Sequence, residues 1–334
     1  MPDSPSAAIP ALPAAGGVRG ILEAAVRAQQ RGDPAALAVV LETEGSTYVH
    51  PGALALFGAR EGQAGWLSGG CIEPEIETQA AIAARYGRVE WMDIDTRSDE
   101  DLFDGSAIGC RGRLRLALLP LASLRELPAL VDEWRRGHGD LRLDIELNGA
   151  MRARVGDERQ PWTLPVATPS WLGRGASAWQ LEIARPPSVL VFGAGPESPS
   201  LLPLLRALGW VVSVVERRPR WLAHGTHADH AIARTPAQAL ATARAHDAAL
   251  VMHHHFELDR EALEALAASE IGFIGLLGPQ QRREDLFRVL PEAARASLAP
   301  RLHSPIGLKL GGDGPEAIAL SIAAQLQTLR YAAV

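Results

Sequence analysis

The chain has 334 residues, of which 47% are hydrophobic and 22% charged. This length allows two domains with separate cores, and the composition is that of a soluble globular protein. The formal net charge of −6 argues against a nucleic-acid partner, because nucleic-acid-binding domains carry a basic footprint. No apolar run approaches the roughly 18 residues of a membrane-spanning helix, so we expect no membrane partner.

The N-terminus and the cysteine count predict a cytoplasmic protein. Residues 1–17 are rich in alanine and proline and have no basic region ahead of an apolar stretch, so we expect a disordered lead-in and no secretory signal. The chain contains only two cysteines, too few for a disulfide framework, which favours a reducing compartment.

Residues 18–120 are predicted to form an α/β domain with a small sheet. A helix is expected over 20–31, where apolar residues recur at helical spacing before a Gly-Asp-Pro stop. A second helix is expected after Cys71, because Pro74 and three glutamates crowd its first turns. Apolar and β-branched runs predict strands at 37–42, 53–57, 65–67, 89–93 and 114–119.

Both cysteines lie in glycine-rich loops of this domain, Ser68-Gly69-Gly70-Cys71 and Gly109-Cys110-Arg111-Gly112. Small neighbours let a ligand approach each sulfur closely and let backbone N–H groups face it. Cys71 is expected near a helix N-terminus, where a thiolate is stabilised. Two interpretations stay open at this point: reactive sulfur, or tight turns that carry cysteine without a chemical role.

Residues 121–187 are predicted to be a connector between two domains. The stretch near 127–137 has helical character, and the two runs between 141 and 156 are typical of a hairpin. Trp162, Trp171 and Trp179 with several prolines suggest an irregular, packed remainder. Arg185-Pro186-Pro187 marks the expected boundary.

Residues 188–330 alternate strands with helices, the pattern of a Rossmann-like, doubly wound parallel sheet. After the first strand, Gly193 permits a turn and Gly195 allows backbone to approach a pyrophosphate at a helix start. Glu216 ends the second strand, where a carboxylate binds ribose hydroxyls. Pro196 and Pro199 remove N–H donors near the helix start, so a scaffold without nucleotide stays open as the alternative.

Histidines lie at two further positions of the expected ligand crevice. His253, His254 and His255 follow a strand, but adjacent residues of an extended strand cannot all converge on one ion. His254 alone is the predicted contact. His303 lies in a glycine-rich loop before the last helix; it is a candidate catalytic residue, or a histidine that donates to backbone in a tight turn.

Taken together, these segments resemble the XdhC/CoxI family. Gly45-Ser46-Thr47-Tyr48, Leu67 to Glu73 and Gly109 to Gly112 resemble its N-terminal domain, and Val191 to Gly195, Ile274 to Gly278 and Arg301 to Leu308 resemble its Rossmann domain. The resemblance covers nearly the whole chain except the connector, and the order of its motifs is specific.

The resemblance implies an accessory protein of xanthine dehydrogenase or a related molybdenum hydroxylase. Such a protein would bind molybdenum cofactor (molybdopterin), protect it during sulfuration by a cysteine desulfurase, and deliver it to the apoenzyme, without being a metabolic enzyme itself. Cys71 and Cys110 are then candidate metal ligands, since soft thiolates suit molybdenum. A homodimer stays open. The expected cofactor-binding residues are Cys71, Cys110, Gly69, Gly70, Gly193, Gly195, Glu216, His254 and His303.

A second function stays open beside this one. An NAD(P)-binding oxidoreductase acting on a small molecule would use the Rossmann crevice, with His254 or His303 as the proton donor.

Overall fold

The computed structural model describes residues 17–97, 112–173, 175–241 and 244–331. Contacts divide the chain into two compact units. The first unit contains the residues up to 134 together with 139–184, and the second contains 135–138 and the residues from 185 onward.

The first unit begins with a four-stranded antiparallel sheet of order β2-β1-β4-β3. Strand β1 is buried on both faces: Leu37 and Val39 face a core shared with α1, while Ala38 and Val40 face a core shared with α2. The expected strand at 65–67 is not formed, and only Ala64 bridges to Leu56. The elements are α1 (Gly17–Arg31), β1 (Ala36–Gly45), β2 (Leu54–Phe57), α2 (Glu73–Tyr86), β3 (Glu90–Asp95) and β4 (Gly112–Pro120).

A second antiparallel sheet completes this unit, in the stretch for which an irregular connector was expected. Its order is β7-β6-β5-β8, and the predicted hairpin is the β5–β6 pair. Leu141, Leu143 and Ile145 alternate with exposed or half-buried residues, so one face enters the same core as α1 and the other faces solvent. The elements are α3 (Leu127–Arg136), β5 (Leu141–Glu146), β6 (Ala150–Val155), β7 (Glu158–Thr163) and β8 (Ala178–Ile183).

The second unit is the predicted doubly wound sheet, with six parallel strands in the order β11-β10-β9-β12-β13-β14. The strand order reverses at β9, so the crevice between β9 and β12 is where ligands bind in such folds. The elements are β9 (Ser188–Phe192), α4 (Ser198–Ala207), β10 (Val211–Val215), β11 (His230–Ile232), α5 (Pro236–Leu240), β12 (Ala248–Val251), α6 (Phe256–Ala267), β13 (Phe273–Leu276), α7 (Gln280–Val289), α8 (Glu292–Leu298), β14 (Leu302–His303) and α9 (Pro315–Tyr331).

The expected fold class is thereby confirmed: α/β, with a small sheet in the first unit and a Rossmann-type sheet in the second. Of the helices that the structure describes, none combines the length and the apolar character needed to cross a membrane.

Candidate functional site

Cys71 lies in an exposed loop directly before α2. The helix begins at Glu73, and Ile72 precedes it, so the thiol lies at the helix start as the sequence predicts. Gly70 has a φ of +104°, a conformation that residues with a side chain rarely adopt. A Cβ at Gly69 would meet no atom within 4 Å, so space beside the loop is open.

The buried carboxylate of Glu73 stabilises this loop through hydrogen bonds. Glu73 accepts hydrogen bonds from the backbone N–H groups of Leu67, at 3.1 Å, and Ser68, at 2.8 Å, and from the Ser68 hydroxyl. The Ser68 oxygen in turn accepts from the N–H of Gly70 at 3.0 Å, and the Cys71 thiol lies 3.5 Å from it. The loop that presents the thiol is therefore fixed by its own residues.

The charge of Glu73 is favoured in this position. Burial acts to raise the pKa of Glu73, but the hydroxyl and N–H of Ser68, with the N–H groups of Glu73 itself and Leu67, hold it below its usual value. The sequence predicts for Glu73 only a favourable interaction with the helix dipole. Its position immediately after a Ser-Gly-Gly-Cys-Ile run was the one available signal for this second role.

Helix α2 places the Cys71 loop at the end of the sheet where β3 ends and β4 begins. Only three residues join Tyr86, at the end of α2, to Glu90, at the start of β3. A connection this short makes the helix run back antiparallel to the strand, so the start of α2 lies where β3 ends and β4 begins. The residues between β3 and β4 include Cys110. Cys110 lies outside the described residues, and its part in the site stays a prediction.

In the second unit the glycine turn after β9 has the expected shape. Gly193 has a φ of +89°, and a Cβ there would come within 2.6 Å of His253. The helix α4 starts at Ser198, next to Glu197. The N–H of Gly195 donates to the Ser198 hydroxyl at 3.0 Å, so that donor is used inside the loop.

Glu216 faces the glycine turn itself. The carboxylate is buried and accepts the N–H of Ala194 at 2.8 Å, and the N–H groups of Arg217 and Arg218, each at 2.8 Å. The Arg218 guanidinium adds bonds of 3.0 and 2.7 Å to the same carboxylate and also donates to the carbonyl oxygens of Ala194 and His253. Glu216 and Arg218 thus form an internal clamp on the turn.

The pKa of Glu216 reflects this clamp. Burial acts to raise it, but the hydrogen bonds from the Arg218 side chain and from the backbone of Arg218 and Ala194 lower the pKa to about 2. The sequence predicts that this carboxylate faces ribose hydroxyls; in the structure its oxygens accept hydrogen bonds from Ala194, Arg217 and Arg218, and the ribose contact stays a prediction. The orientation of a side chain toward its own loop has no signature in the strand-turn-helix pattern.

His254 contacts the helix start through a second carboxylate. Its Nε2 lies 3.2 Å from Glu197, whose side chain is buried at the beginning of α4. The hydrogen bond to Glu197 raises the pKa of His254 against an opposing effect of burial. His254 also has a φ of +54°, the only left-handed non-glycine residue in the described part of the chain. The predicted site residue therefore pairs with a protein carboxylate at the expected phosphate position.

His253, for which the sequence predicts no role, belongs to a chain of hydrogen-bonded ionisable groups with Asp259 and Arg282. Its Nδ1 lies 3.1 Å from Asp259, which also accepts the His253 backbone N–H and the Arg282 guanidinium. Asp259 is 1% exposed; burial acts to raise its pKa, but the hydrogen bonds from His253 and Arg282 hold it below its usual value. The aspartate that begins the buried side of α6 was the signal that could have identified this chain.

His303 lies apart from the glycine turn, on the edge strand β14. It pairs in register with Gly275 of β13, and its ring stacks on Phe273 with centroids 4.2 Å apart. Burial lowers the pKa of His303. The catalytic role of His303 stays a prediction.

Comparison with known proteins follows the division into two units. A model of the XdhC Rossmann domain matches residues 189–326, and a model of the XdhC and CoxI family matches residues 28–94. A protein of Bacillus subtilis (strain 168), named as a probable subunit of xanthine dehydrogenase, is 28% identical over 329 residues, covering 90% of this chain and 95% of that protein.

A solved structure has the same fold over nearly all of the chain. The crystal structure of a xanthine dehydrogenase from Bacillus halodurans, 27% identical, matches with a TM-score of 0.74 and covers 93% of this chain and 96% of that one. An uncharacterised protein of Escherichia coli (strain K12) is 37% identical over 70 residues, which are 20% of this chain and 13% of that protein.

Proposed function

The chain belongs to the XdhC and CoxI family, and from that membership we propose that it acts in the maturation of xanthine dehydrogenase or a related molybdenum hydroxylase. Its cargo in this proposal is molybdenum cofactor, which it protects during sulfuration by a cysteine desulfurase and then delivers to the apoenzyme. We assign this work to the cytoplasm, because free thiols persist in a reducing compartment.

The observation that carries the proposal is the exposed thiol of Cys71 in an open loop with a fixed shape. Bound cofactor supplies a soft metal centre, for which a cysteine thiolate is a suitable ligand. Gly69 and Gly70 leave room for a ligand beside the sulfur, and Glu73 keeps the loop in place from within. These residues fit the cargo.

The pairing of Cys71 with Cys110 rests on topology. Arg97 and Gly112 flank the stretch that carries Cys110, and both lie at the edge of the sheet where α2 begins. In this proposal Cys110 is the second thiol ligand, and two soft ligands hold a metal more tightly than one. Within the described residues, no group of three or more histidine, cysteine or acidic side chains is placed to hold a metal ion.

The hydrogen bonds of the glycine turn support a second unit that acts as a scaffold, and they argue against the NAD(P)-binding oxidoreductase. The N–H of Ala194 and that of Gly195 are engaged by Glu216 and Ser198, while Pro196 has no N–H to offer. A pyrophosphate would have to displace these bonds and would meet the Glu197 carboxylate at the helix start. Titration with NAD and NADP, followed by calorimetry, is expected to give no heat of binding up to millimolar dinucleotide.

Metal and pterin analysis tests the cargo. The protein is co-expressed with the cofactor pathway, and bound molybdenum and pterin are measured for wild type, Cys71→Ala, Cys110→Ala and the double variant. We expect the double variant to retain less than about a tenth of the wild-type cargo, the loss of roughly 1.4 kcal/mol or more of binding free energy.

Glu75→Gln is the matched control, since Glu75 is an exposed carboxylate two residues after Glu73 on the same helix. It should bind cargo like wild type. Full loading of the double cysteine variant would refute the role of the thiols, while failure of loaded wild-type protein to activate apo xanthine dehydrogenase would refute delivery.

A further inference from the structure

The solvent-facing side of the second sheet carries three arginines in one row. Arg159 of β7 lies opposite Arg154 of β6, and Arg154 lies opposite Arg142 of β5. Directly opposed residues point to the same face, and adjacent strands lie about 4.8 Å apart. Three neighbouring strands therefore present a cation at the same level; we name Arg142, Arg154 and Arg159 the arginine row.

The row is short of compensating carboxylates. Glu182, at its end, lies 3.4 Å from Arg142. Asp144, one level along, is 3.6 Å from Arg152. Across the part of the chain that the structure describes, Arg154 and Arg159 form no ion pair. Like charges directly opposite each other destabilise a sheet, so the row costs stability that a mixed-charge surface would retain.

A cleft of about 580 Å³ lies over the arginine row. Apart from Leu181, every residue that lines it is polar or charged. Sites for small organic ligands are mostly apolar, with a few polar groups for orientation. The lining of this cleft is not apolar, so the cleft would recognise a partner by charge.

We propose that the arginine row docks an acidic segment of a partner protein. Guanidinium groups bind carboxylates in a bidentate manner, and the long side chains of three arginines on adjacent strands can reach several carboxylates of one acidic segment. Polynucleotide is disfavoured, because the net charge of −6 on the whole chain repels a long polyanion, whereas a short segment meets only the local row. This surface is separate from the Cys71 loop, and its use does not depend on the cargo.

Fluorescence anisotropy with a labelled hexaglutamate peptide tests the proposal. Full-length wild-type protein is expected to bind the peptide, and to bind it more weakly when salt is raised from about 20 mM to about 200 mM. The variant Arg154→Gln/Arg159→Gln should bind at least about tenfold more weakly, because both cations without an internal partner are removed.

The control variant is Arg125→Gln/Arg234→Gln, which removes the same charge from two exposed arginines outside the row. It should bind the peptide within about twofold of wild type. An equal loss in both variants would reduce the effect to net charge and overturn the proposal. So would tighter binding of a twelve-residue thymidine oligonucleotide or of tripolyphosphate than of the peptide, since either result names a different occupant.

Stability gives a second measurement that needs no ligand. Removing two of three adjacent like charges should raise the melting temperature of Arg154→Gln/Arg159→Gln by about 1–3 °C at low salt. A variant that is more stable yet binds the peptide worse is the expected combination. A fall in the melting temperature would show that the arginines stabilise the sheet, and would overturn the argument for a docking role.

Discussion

Glu73 governs how the first unit presents its cysteine, and its removal is the first test at the level of single residues. Glu73→Gln keeps one oxygen for the N–H groups of Leu67 and Ser68 but puts an NH₂ where the second oxygen accepts from the Ser68 hydroxyl, so that hydrogen bond is lost. We expect a loss of about 1–3 kcal/mol in the free energy of unfolding, measured in urea. We also expect faster reaction of Cys71 with a thiol reagent, because the loop loosens.

Glu75→Gln separates this effect from a general effect of lost charge on α2. Its carboxylate is exposed, so we expect a change within about 0.5 kcal/mol and an unchanged reaction rate. Equal behaviour of the two variants would show that the buried hydrogen bonds of Glu73 contribute nothing to the loop.

The hydrogen bonds of Glu216 are expected to make the stability of the second unit sensitive to acid. Its pKa is lowered from 4.5 in the unfolded chain to about 2 in the folded one. A lowered folded pKa gives stability that is present above the unfolded pKa and is lost as pH falls toward the folded pKa. Between about pH 6 and about pH 3, wild type should lose on the order of 2 kcal/mol more than Glu216→Gln in urea unfolding. Parallel pH dependences would contradict the clamp.

The pairing of His254 with Glu197 is expected to make stability depend on pH in the opposite direction to Glu216. Its pKa is raised by Glu197 above the ordinary 6.5, so its contribution is present below that value and is lost as pH rises through the folded pKa. The difference in unfolding midpoint between wild type and His254→Asn should therefore shrink on the alkaline side. Asparagine tolerates the left-handed backbone, which keeps the comparison free of new strain.

His255→Asn is the control for His254. The His255 side chain is exposed and forms no hydrogen bond or ion pair with any described residue. Its substitution should leave the pH dependence of the midpoint as in wild type. If His255→Asn reproduced the effect, the pairing of His254 with Glu197 would not be its source.

At the level of elements, the turn between β9 and α4 depends on close contact between backbone and a neighbouring side chain. Gly193→Ala adds a Cβ about where His253 lies, at 2.6 Å, and does so at a φ of +89°. We expect a loss of roughly 2–4 kcal/mol of unfolding free energy. Gly32→Ala is matched in backbone conformation, with a φ of +70°, but meets no atom within 4 Å. It should cost only about 1–2 kcal/mol, and similar losses would remove the packing argument.

The elements also show what the sequence can predict. The strand, glycine turn and helix from Ser188 to Ala207 were predictable because hydrophobic runs and turn residues act locally. Of the sheet β5–β8, only the β5–β6 hairpin was predictable. The prolines and tryptophans of this stretch obscured the alternation of apolar and polar residues in β7 and β8. The direction of the Glu216 side chain was not predictable at all, because it is decided by Arg218 and Ala194 in three dimensions.

At the level of the whole molecule, the chain carries separate hydrophobic cores. Two cores contain only residues from the stretch 21–183, and two contain only residues from 189–326. We therefore expect residues 185–334 expressed alone to fold and to unfold cooperatively by circular dichroism. A fragment without a thermal transition would show that the second unit needs the first for its stability.

The clamp formed by Glu216 and Arg218 has a consequence for how the protein responds to the cell. A ligand that binds only the folded state multiplies the ratio of folded to unfolded protein by a factor that grows with the ligand's concentration. Glu216 forms its hydrogen bonds to the turn from within the chain, so the stability that the clamp adds does not depend on the concentration of a small molecule. On our proposal that the turn binds no nucleotide, the folded fraction is expected to stay the same when NAD or NADP is added.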